Sequence, residues 1–257
     1  MPTLLLVRHG RSTANTAGVL AGRTPHVPLD ELGASQAEAL PGRLAALPLA
    51  ALVSSPLQRC QETLAPLRAA RPELPAHTEE RLNECDYGQW TGRALSELGQ
   101  EKLMATVQQH PSAATFPGGE SMRGMQTRAV EAVRDWNARI QAEHGEGATY
   151  LMCSHGDVIK SLVADALGLH LDLFQRISVA PCSVTVVRYT PLRPFVLRLG
   201  DTGELESLAP PRETVAETAG EPATGTAAVP DPGAPDGPSP AERPGDGSSD
   251  AVVGGAA

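Results

Sequence analysis

The sequence predicts an α/β fold: a mainly parallel sheet flanked by helices on both faces. Three observations predict it. Short apolar runs that read as strands alternate along the chain with longer stretches of helical period. The strand-like runs are apolar at successive positions, as strands buried on both faces are. Three of them stop on polar clusters, Arg8-His9-Gly10, Ser54-Ser55-Pro56 and Ser154-His155-Gly156. In such sheets ligands bind outside the carboxyl ends of the strands, so chemistry is expected where these clusters meet.

Thr3–Val7 reads as the first strand, short and ended abruptly. Residues 15–28 are rich in Gly, Thr and Pro and read as loop. Asp30 is placed to N-cap a helix over Glu31–Leu47, with Leu32, Leu40, Leu44 and Leu47 facing inward and Pro41 kinking or dividing it. Ala50–Ser54 is a second strand. Pro56 then favours a helix from Leu57 to Leu67. Residues 72–92 lack periodicity and read as loop, and 94–109 as one helix. The stretch PSAATFPGGES reads as a surface loop. Met125, Ala129, Val133, Trp136 and Ile140 recur at spacings of three and four, which predicts a long amphipathic helix stopped by Gly145 and Gly147. Thr149–Cys153 is a third core strand, and Asp157–Leu167 a helix ended by Gly168. Ser183–Tyr189 and Phe195–Leu199 read as two paired strands.

The composition belongs to a globular protein, 41% hydrophobic with 3% aromatics among 257 residues. Eleven acidic and two basic residues follow Gly200, which accounts for the whole formal net charge of −9; nineteen of each sign precede it. The body is therefore electrically balanced, and no nucleic-acid or anionic-membrane partner is expected. Beyond about Leu208 the chain turns to Pro, Gly, Ala, Ser, Thr and acid. Such a segment buries too little apolar surface to offset its conformational entropy and is expected to be disordered. We divide the chain into a folded domain, 1–200, and an acidic tail, 201–257. Cys60, Cys85, Cys153 and Cys182 form no C-x-x-C pair and read as reduced, buried thiols. The opening apolar run is too short for a signal peptide, and no stretch reaches the roughly 20 apolar residues of a membrane helix. A cytoplasmic location is expected. The sequence is silent on oligomeric state.

Two of the strand ends carry a histidine followed by glycine. Glycine there is read as letting backbone approach a ligand. Gly156 also opens a helix whose amide end suits an anion. Alone, either motif is more often a hydrogen-bonded structural histidine. Arg59, in SSPLQRCQET, and Arg8 add permanent cations suited to phosphate. Glu84, in RLNECDYGQW, would serve as a proton donor if burial or a neighbouring anion raised its pKa.

Taken together, LLLVRHGRSTAN, SSPLQRCQET, RLNECDYGQW, FPGGES and SHGDVIKSL resemble the histidine phosphatase superfamily, the phosphoglycerate mutase-like proteins, in order from residue 3 to about 165. The resemblance implies that fold and a set of roles. His9 would take the phosphoryl group on a ring nitrogen. Arg8, Arg59 and His155 would hold phosphate oxygens, with Asn15 closing the pocket and Gly156 beside it. Glu84 would protonate the leaving alcohol and then activate water. Ser12 either adds a hydroxyl to that pocket or caps the turn. No metal or cofactor is expected, and the substrate would be a small phosphorylated metabolite.

Arg11, Thr91 and Asp157 depart from the family pattern near the inferred pocket and leave the substrate open. The short segment between Trp90 and PGGES favours a phosphatase or a small mutase-like branch. Three functions are weighed: a phosphomonoester hydrolase with a phosphohistidine intermediate, a phosphomutase using the same phosphohistidine, and a non-catalytic phospho-ligand-binding protein. The last would be expected to lack His9 or Glu84, and both are present.

Overall fold

The computed structural model describes residues 1–203. The expected disordered segment beyond about Leu208, and all but the first three residues of the 201–257 tail, lie outside the described residues. The elements run β1 (Thr3–Arg8), α1 (Thr13–Thr16), α2 (Glu31–Arg43), β2 (Leu49–Ser54), α3 (Gln58–Ala70), β3 (Ala76–Thr78), α4 (Leu95–Leu98), α5 (Lys102–Gln109), α6 (Met122–His144), β4 (Thr149–Ser154), α7 (Gly156–Leu167), β5 (Val184–Arg188) and β6 (Phe195–Asp201).

The six strands form one mixed sheet in the order β3-β2-β4-β1-β5-β6. The first four are mutually parallel; β5 and β6 join antiparallel at one edge. Side chains alternate along β1. Leu4 and Leu6 enter the core shared with α6 and α7, while Leu5 and Val7 enter the core under α2 and α3. All four are at most 1% exposed, and each contributes roughly 1.5–3 kcal/mol of burial. β4 divides likewise, Tyr150 and Met152 to one side, Leu151 and Cys153 to the other.

Several expectations need correction. The helix expected over 94–109 is two helices, α4 and α5, because Glu101 is extended (φ −72°, ψ 136°) and breaks the run after Gly99. Helix α2 ends at Arg43, with Pro41 inside its last turn. Its inner face is Gly33, Ala37, Leu40 and Leu44, whereas Leu32 and Leu47 are exposed. Within the expected loop of residues 72–92, β3 pairs with β2 through backbone alone, its side chains largely exposed. The PSAATFPGGES stretch is only partly surface: Ala114 and Phe116 are buried, and Phe116 packs edge-on against Tyr87 and Trp90. That contact makes Trp90 a packing residue. Among the described residues no helix is long and apolar enough to cross a membrane.

Candidate active site

The strand register assembles the site. β1 and β4 run in step from Thr3 opposite Thr149 to Arg8 opposite Ser154. The next residues, His9 and His155, therefore emerge side by side. The His9 amide donates to the Ser154 carbonyl at 3.0 Å, and the two imidazole centroids stand 5.2 Å apart. β2 ends alongside, with the Ser55 amide on the Cys153 carbonyl (3.0 Å), and α3 then carries Arg59 back toward the strand ends. Arg8, His9, Arg59, Glu84 and His155 are all at most 4% exposed.

His9 Nδ1 lies 2.7 Å from the Gly10 carbonyl oxygen. A carbonyl only accepts, so Nδ1 carries the hydrogen and Nε2 holds the lone pair. Burial, then Arg59 and Arg8, hold this imidazole well below its ordinary pKa, against the pull of the Gly10 carbonyl. The surroundings thus favour the neutral ring, with its lone pair at Nε2. His155 is likewise pushed well below its ordinary value, by burial and then by Arg59 and His9. Its Nε2 meets the Ser55 hydroxyl at 2.8 Å, and the Cys60 thiol lies 3.6 Å from the same nitrogen.

The cations are held by backbone. Arg8 Nη1 donates to the Val179 carbonyl (2.7 Å), and Arg59 Nη2 to the Gly22 carbonyl (2.8 Å). Arg59 Nη1 is buried without a hydrogen-bond partner among the described residues. A buried N–H of a guanidinium that lacks an acceptor is costly unless an anion meets it. The Glu84 carboxyl accepts the Cys85 amide at 2.9 Å. Burial pushes it up to about 7, Asp157 adds to the rise, and the Cys85 amide, Arg59 and Arg8 oppose it. The Glu84 main-chain carbonyl accepts from Arg23 Nε (3.0 Å) and Arg128 Nη2 (3.1 Å). Glu120, from the PGGES stretch, receives both of those arginines and the Asp86 amide, at 2.6–3.0 Å. The acid-bearing loop is thus fixed by an ion cluster.

The other expected residues lie nearby in more structural settings. Ser12 and Asn15 form a capping box at α1: Asn15 Oδ1 accepts the Ser12 amide (3.0 Å) and hydroxyl (2.8 Å), and the Ser12 oxygen accepts the Asn15 amide. Of the two readings of Ser12, this contact is the cap. Gly156 opens α7, and a side-chain carbon there would stand 3.6 Å from the Arg8 guanidinium. Arg11 pairs with Asp30, closing onto the N-cap of α2. Gly10 needs correction: an added Cβ would meet the Gly33 carbonyl oxygen at 2.7 Å, so its small size admits the backbone of α2 and not a ligand.

Sequence reasoning missed Thr63, whose hydroxyl accepts the Gly10 amide (2.9 Å) and donates to the Arg59 carbonyl (2.6 Å), tying the two arms of the site together. It also missed Val179, Arg128 and Glu120 as supports. The Thr63–Gly10 and Val179–Arg8 contacts span 53 and 171 residues of chain, and no local pattern marks them. No group of three His, Cys, Asp or Glu side chains that could hold a metal ion stands together among the described residues.

Two strand-end histidines and two arginines are thus buried together where the parallel strands end. The chain belongs to the histidine phosphatase superfamily, branch 1, whose sequence model matches residues 4–202. It is an enzyme of the histidine phosphatase and phosphoglycerate mutase-like class.

Its relatives include both kinds of enzyme. It is 29% identical over 186 residues to 2,3-bisphosphoglycerate-dependent phosphoglycerate mutase 2 of Gloeobacter violaceus, covering 71% of this chain and 83% of that protein. It is 28% identical over 208 residues to phosphoserine phosphatase 1 of Hydrogenobacter thermophilus, covering 80% and 95%. The solved structure of Bacillus stearothermophilus YhfR superposes with a TM-score of 0.71 at 32% identity, covering 78% of this chain and 98% of that one.

Proposed function

We propose that this protein hydrolyses small phosphomonoesters through a phosphohistidine at His9. One observation carries the reading: Nδ1 of His9 is engaged by the Gly10 carbonyl, which leaves a lone pair on Nε2, in the field of the buried Arg59 and Arg8 guanidiniums. In the first step Nε2 attacks phosphorus, the P–O bond to the alcohol breaks, and Glu84 gives its proton to the departing oxygen. In the second, the Glu84 carboxylate takes a proton from water, the oxygen attacks phosphorus, and the P–N bond breaks to release phosphate and neutral His9. Arg8 and Arg59 stabilise the equatorial oxygens as charge spreads over them. His155, Asn15 and Gly156 would complete the phosphate site in the roles the family resemblance implies. No step calls for a metal, so excess EDTA should leave turnover unchanged.

A phosphomutase reading has its own support in the Gloeobacter relative. The same phosphohistidine would then return its group to a second hydroxyl. The hydrolase is favoured because the segment between Trp90 and the PGGES loop contains only two short helices and a single turn of 3₁₀ helix, little with which to exclude water. Four free, buried thiols suit a reducing cytoplasm.

The test is turnover of p-nitrophenyl phosphate and of a panel of sugar and amino-acid phosphates, by the parent and by His9→Ala. The variant should lose turnover on every ester; equal rates would end the proposal. Added acceptor alcohols that shorten the phosphoenzyme lifetime and collect the phosphoryl group would instead identify a mutase.

A further inference from the structure

Ser55 is a fully buried hydroxyl that the mechanism above does not use. Its backbone is pinned where β2 ends. The amide donates to the Cys153 carbonyl (3.0 Å), and the carbonyl accepts from Gln61 Nε2 (2.8 Å) and from the Ser54 hydroxyl (2.9 Å). The Ser55 oxygen stands between two side chains, with His155 Nε2 at 2.8 Å and Asn83 Oδ1 at 3.0 Å; the Leu57 amide lies further off at 3.4 Å. Asn83 immediately precedes Glu84. Its loop is tied to the strand ends a second time, by the Ser154 hydroxyl on the Leu82 carbonyl at 2.8 Å.

A hydroxyl has one hydrogen and two lone pairs. Asn83 Oδ1 only accepts, so the Ser55 hydrogen goes there. A Ser55 lone pair then faces His155 Nε2, and that contact needs an N–H on the ring. The Cys60 sulfur, 3.6 Å from the same nitrogen, is the weaker partner, and its own hydrogen goes to the Ser154 carbonyl. Burial, then Arg59 and His9, favour the neutral ring, which leaves a lone pair on Nδ1. Among the described residues Nδ1 has only the Cys60 sulfur within reach, at 4.0 Å. The two histidines are therefore opposite tautomers, His9 with its hydrogen on Nδ1 and His155 with its hydrogen on Nε2.

A lone pair repels an anion. With Nε2 committed to Ser55, a contact between His155 and a phosphate oxygen falls to Nδ1, which must carry a proton to make it. We propose that Ser55, oriented by Asn83, is a positioning residue that fixes the hydrogen of His155 on Nε2 and reserves Nδ1 to take up a proton together with a bound phosphate. This deepens, and rests on, the reading of His155 as part of the phosphate site. A phosphate monoanion supplies the proton itself: its O–H bond breaks, an N–H bond forms at Nδ1, and a dianion is left beside an imidazolium. A dianion draws the proton from a buffer acid instead. The titratable and charged groups facing the ring are Arg8 and His9 from β1, Arg59 and Cys60 from α3, and Arg128 from α6. Two negative charges among these cations reverse the balance that keeps the empty ring neutral.

The experiment records histidine ring-nitrogen chemical shifts of the full chain near neutral pH, with and without inorganic phosphate. The proteins are the parent, Asn83→Ala and Asn83→Asp, with His9→Ala and His155→Gln to assign the two rings. Without phosphate, His155 of the parent should show a protonated Nε2 and an unprotonated Nδ1. Saturating phosphate should shift Nδ1 to the position of a protonated nitrogen and leave Nε2 in place. Asn83→Ala frees the Ser55 hydrogen to turn toward Nε2, so its ring should switch to the Nδ1–H form before phosphate is added. Asn83→Asp, which keeps an oxygen acceptor, should retain the parent tautomer. A merely structural role for Asn83 and Ser55 would alter stability and leave the tautomer of Asn83→Ala unchanged, which overturns the inference. If phosphate shifts the His9 ring while His155 stays neutral, the phosphate site stands and this inference falls. If phosphate shifts neither ring, the reading of the site falls and takes the inference with it. Should Asn83→Ala fold poorly, a parent ring with its hydrogen on Nδ1 in the absence of phosphate overturns the inference by itself.

Discussion

The end of β1 is seated on the backbone of α2, and a single methyl group should unseat it. A Cβ on Gly33 would lie 1.9 Å from the Arg11 carbonyl oxygen and 2.8 Å from both its carbonyl carbon and its nitrogen. Side-chain carbons essentially never approach within 3.0 Å, so Gly33→Ala must part the helix from residue 11 by more than an ångström. That motion pulls on the Asp30 amide to Arg11 carbonyl bond (3.0 Å) and the Arg11 amide to Gln36 bond (3.0 Å). Overpacking costs about 1–3 kcal/mol, two strained hydrogen bonds add roughly 1 kcal/mol each, and helix propensity returns about 1. The net is a loss of about 3 kcal/mol, or a fall in Tm of roughly 6–12 °C for a domain of this size. Gly42 lies in the same helix, exposed, with nothing within 4 Å of its would-be Cβ. Gly42→Ala should therefore gain up to about 1 kcal/mol and raise Tm by a few degrees. Thermal unfolding of the three proteins, followed by circular dichroism, reads both signs at once. Turnover should fall in Gly33→Ala, because Arg11 lies two residues from His9. Equal melting of the two variants, or a Gly33→Ala midpoint within about 2 °C of the parent, would refute the packing argument.

Two further outcomes follow from contacts and charge. Thr63→Val should cost about 1–3 kcal/mol, since the buried Gly10 amide loses its acceptor; chemical denaturation measures it, and an unchanged midpoint would contradict the tie. Nitrogen chemical shifts of the His9 ring should stay those of the neutral tautomer as pH falls through 6.5, because burial, Arg59 and Arg8 all disfavour the added proton. A titration midpoint at the ordinary histidine value would show the ring to be solvated.

Much of the fold is legible in the chain because its strands are apolar and its longest helix is strongly periodic. The site is legible because the parallel register carries Arg8-His9 and Ser154-His155 to the same level. What escapes is close backbone packing and long-range support. The inner face of α2 is built around Gly33, which no count of apolar residues selects, and so Leu32 and Leu47 were expected on the wrong side. β3 has no apolar signature because it is held by backbone at the sheet edge. The α4–α5 break follows from one extended residue, Glu101, in an otherwise helical composition. Asp157 is visible in sequence only as a departure from the family pattern, and the phenol that it accepts from, Tyr87, lies 70 residues away.

The central claim, a phosphoryl group carried on His9, is tested most directly by rapid mixing with p-nitrophenyl phosphate, quenching in base, and mapping the modified peptide by mass spectrometry. The account predicts one phosphoryl group on His9, formed and lost at rates compatible with turnover. Steady turnover with the group on another residue, or with no phosphoenzyme and phosphate oxygen exchange consistent with direct attack by water, would contradict it.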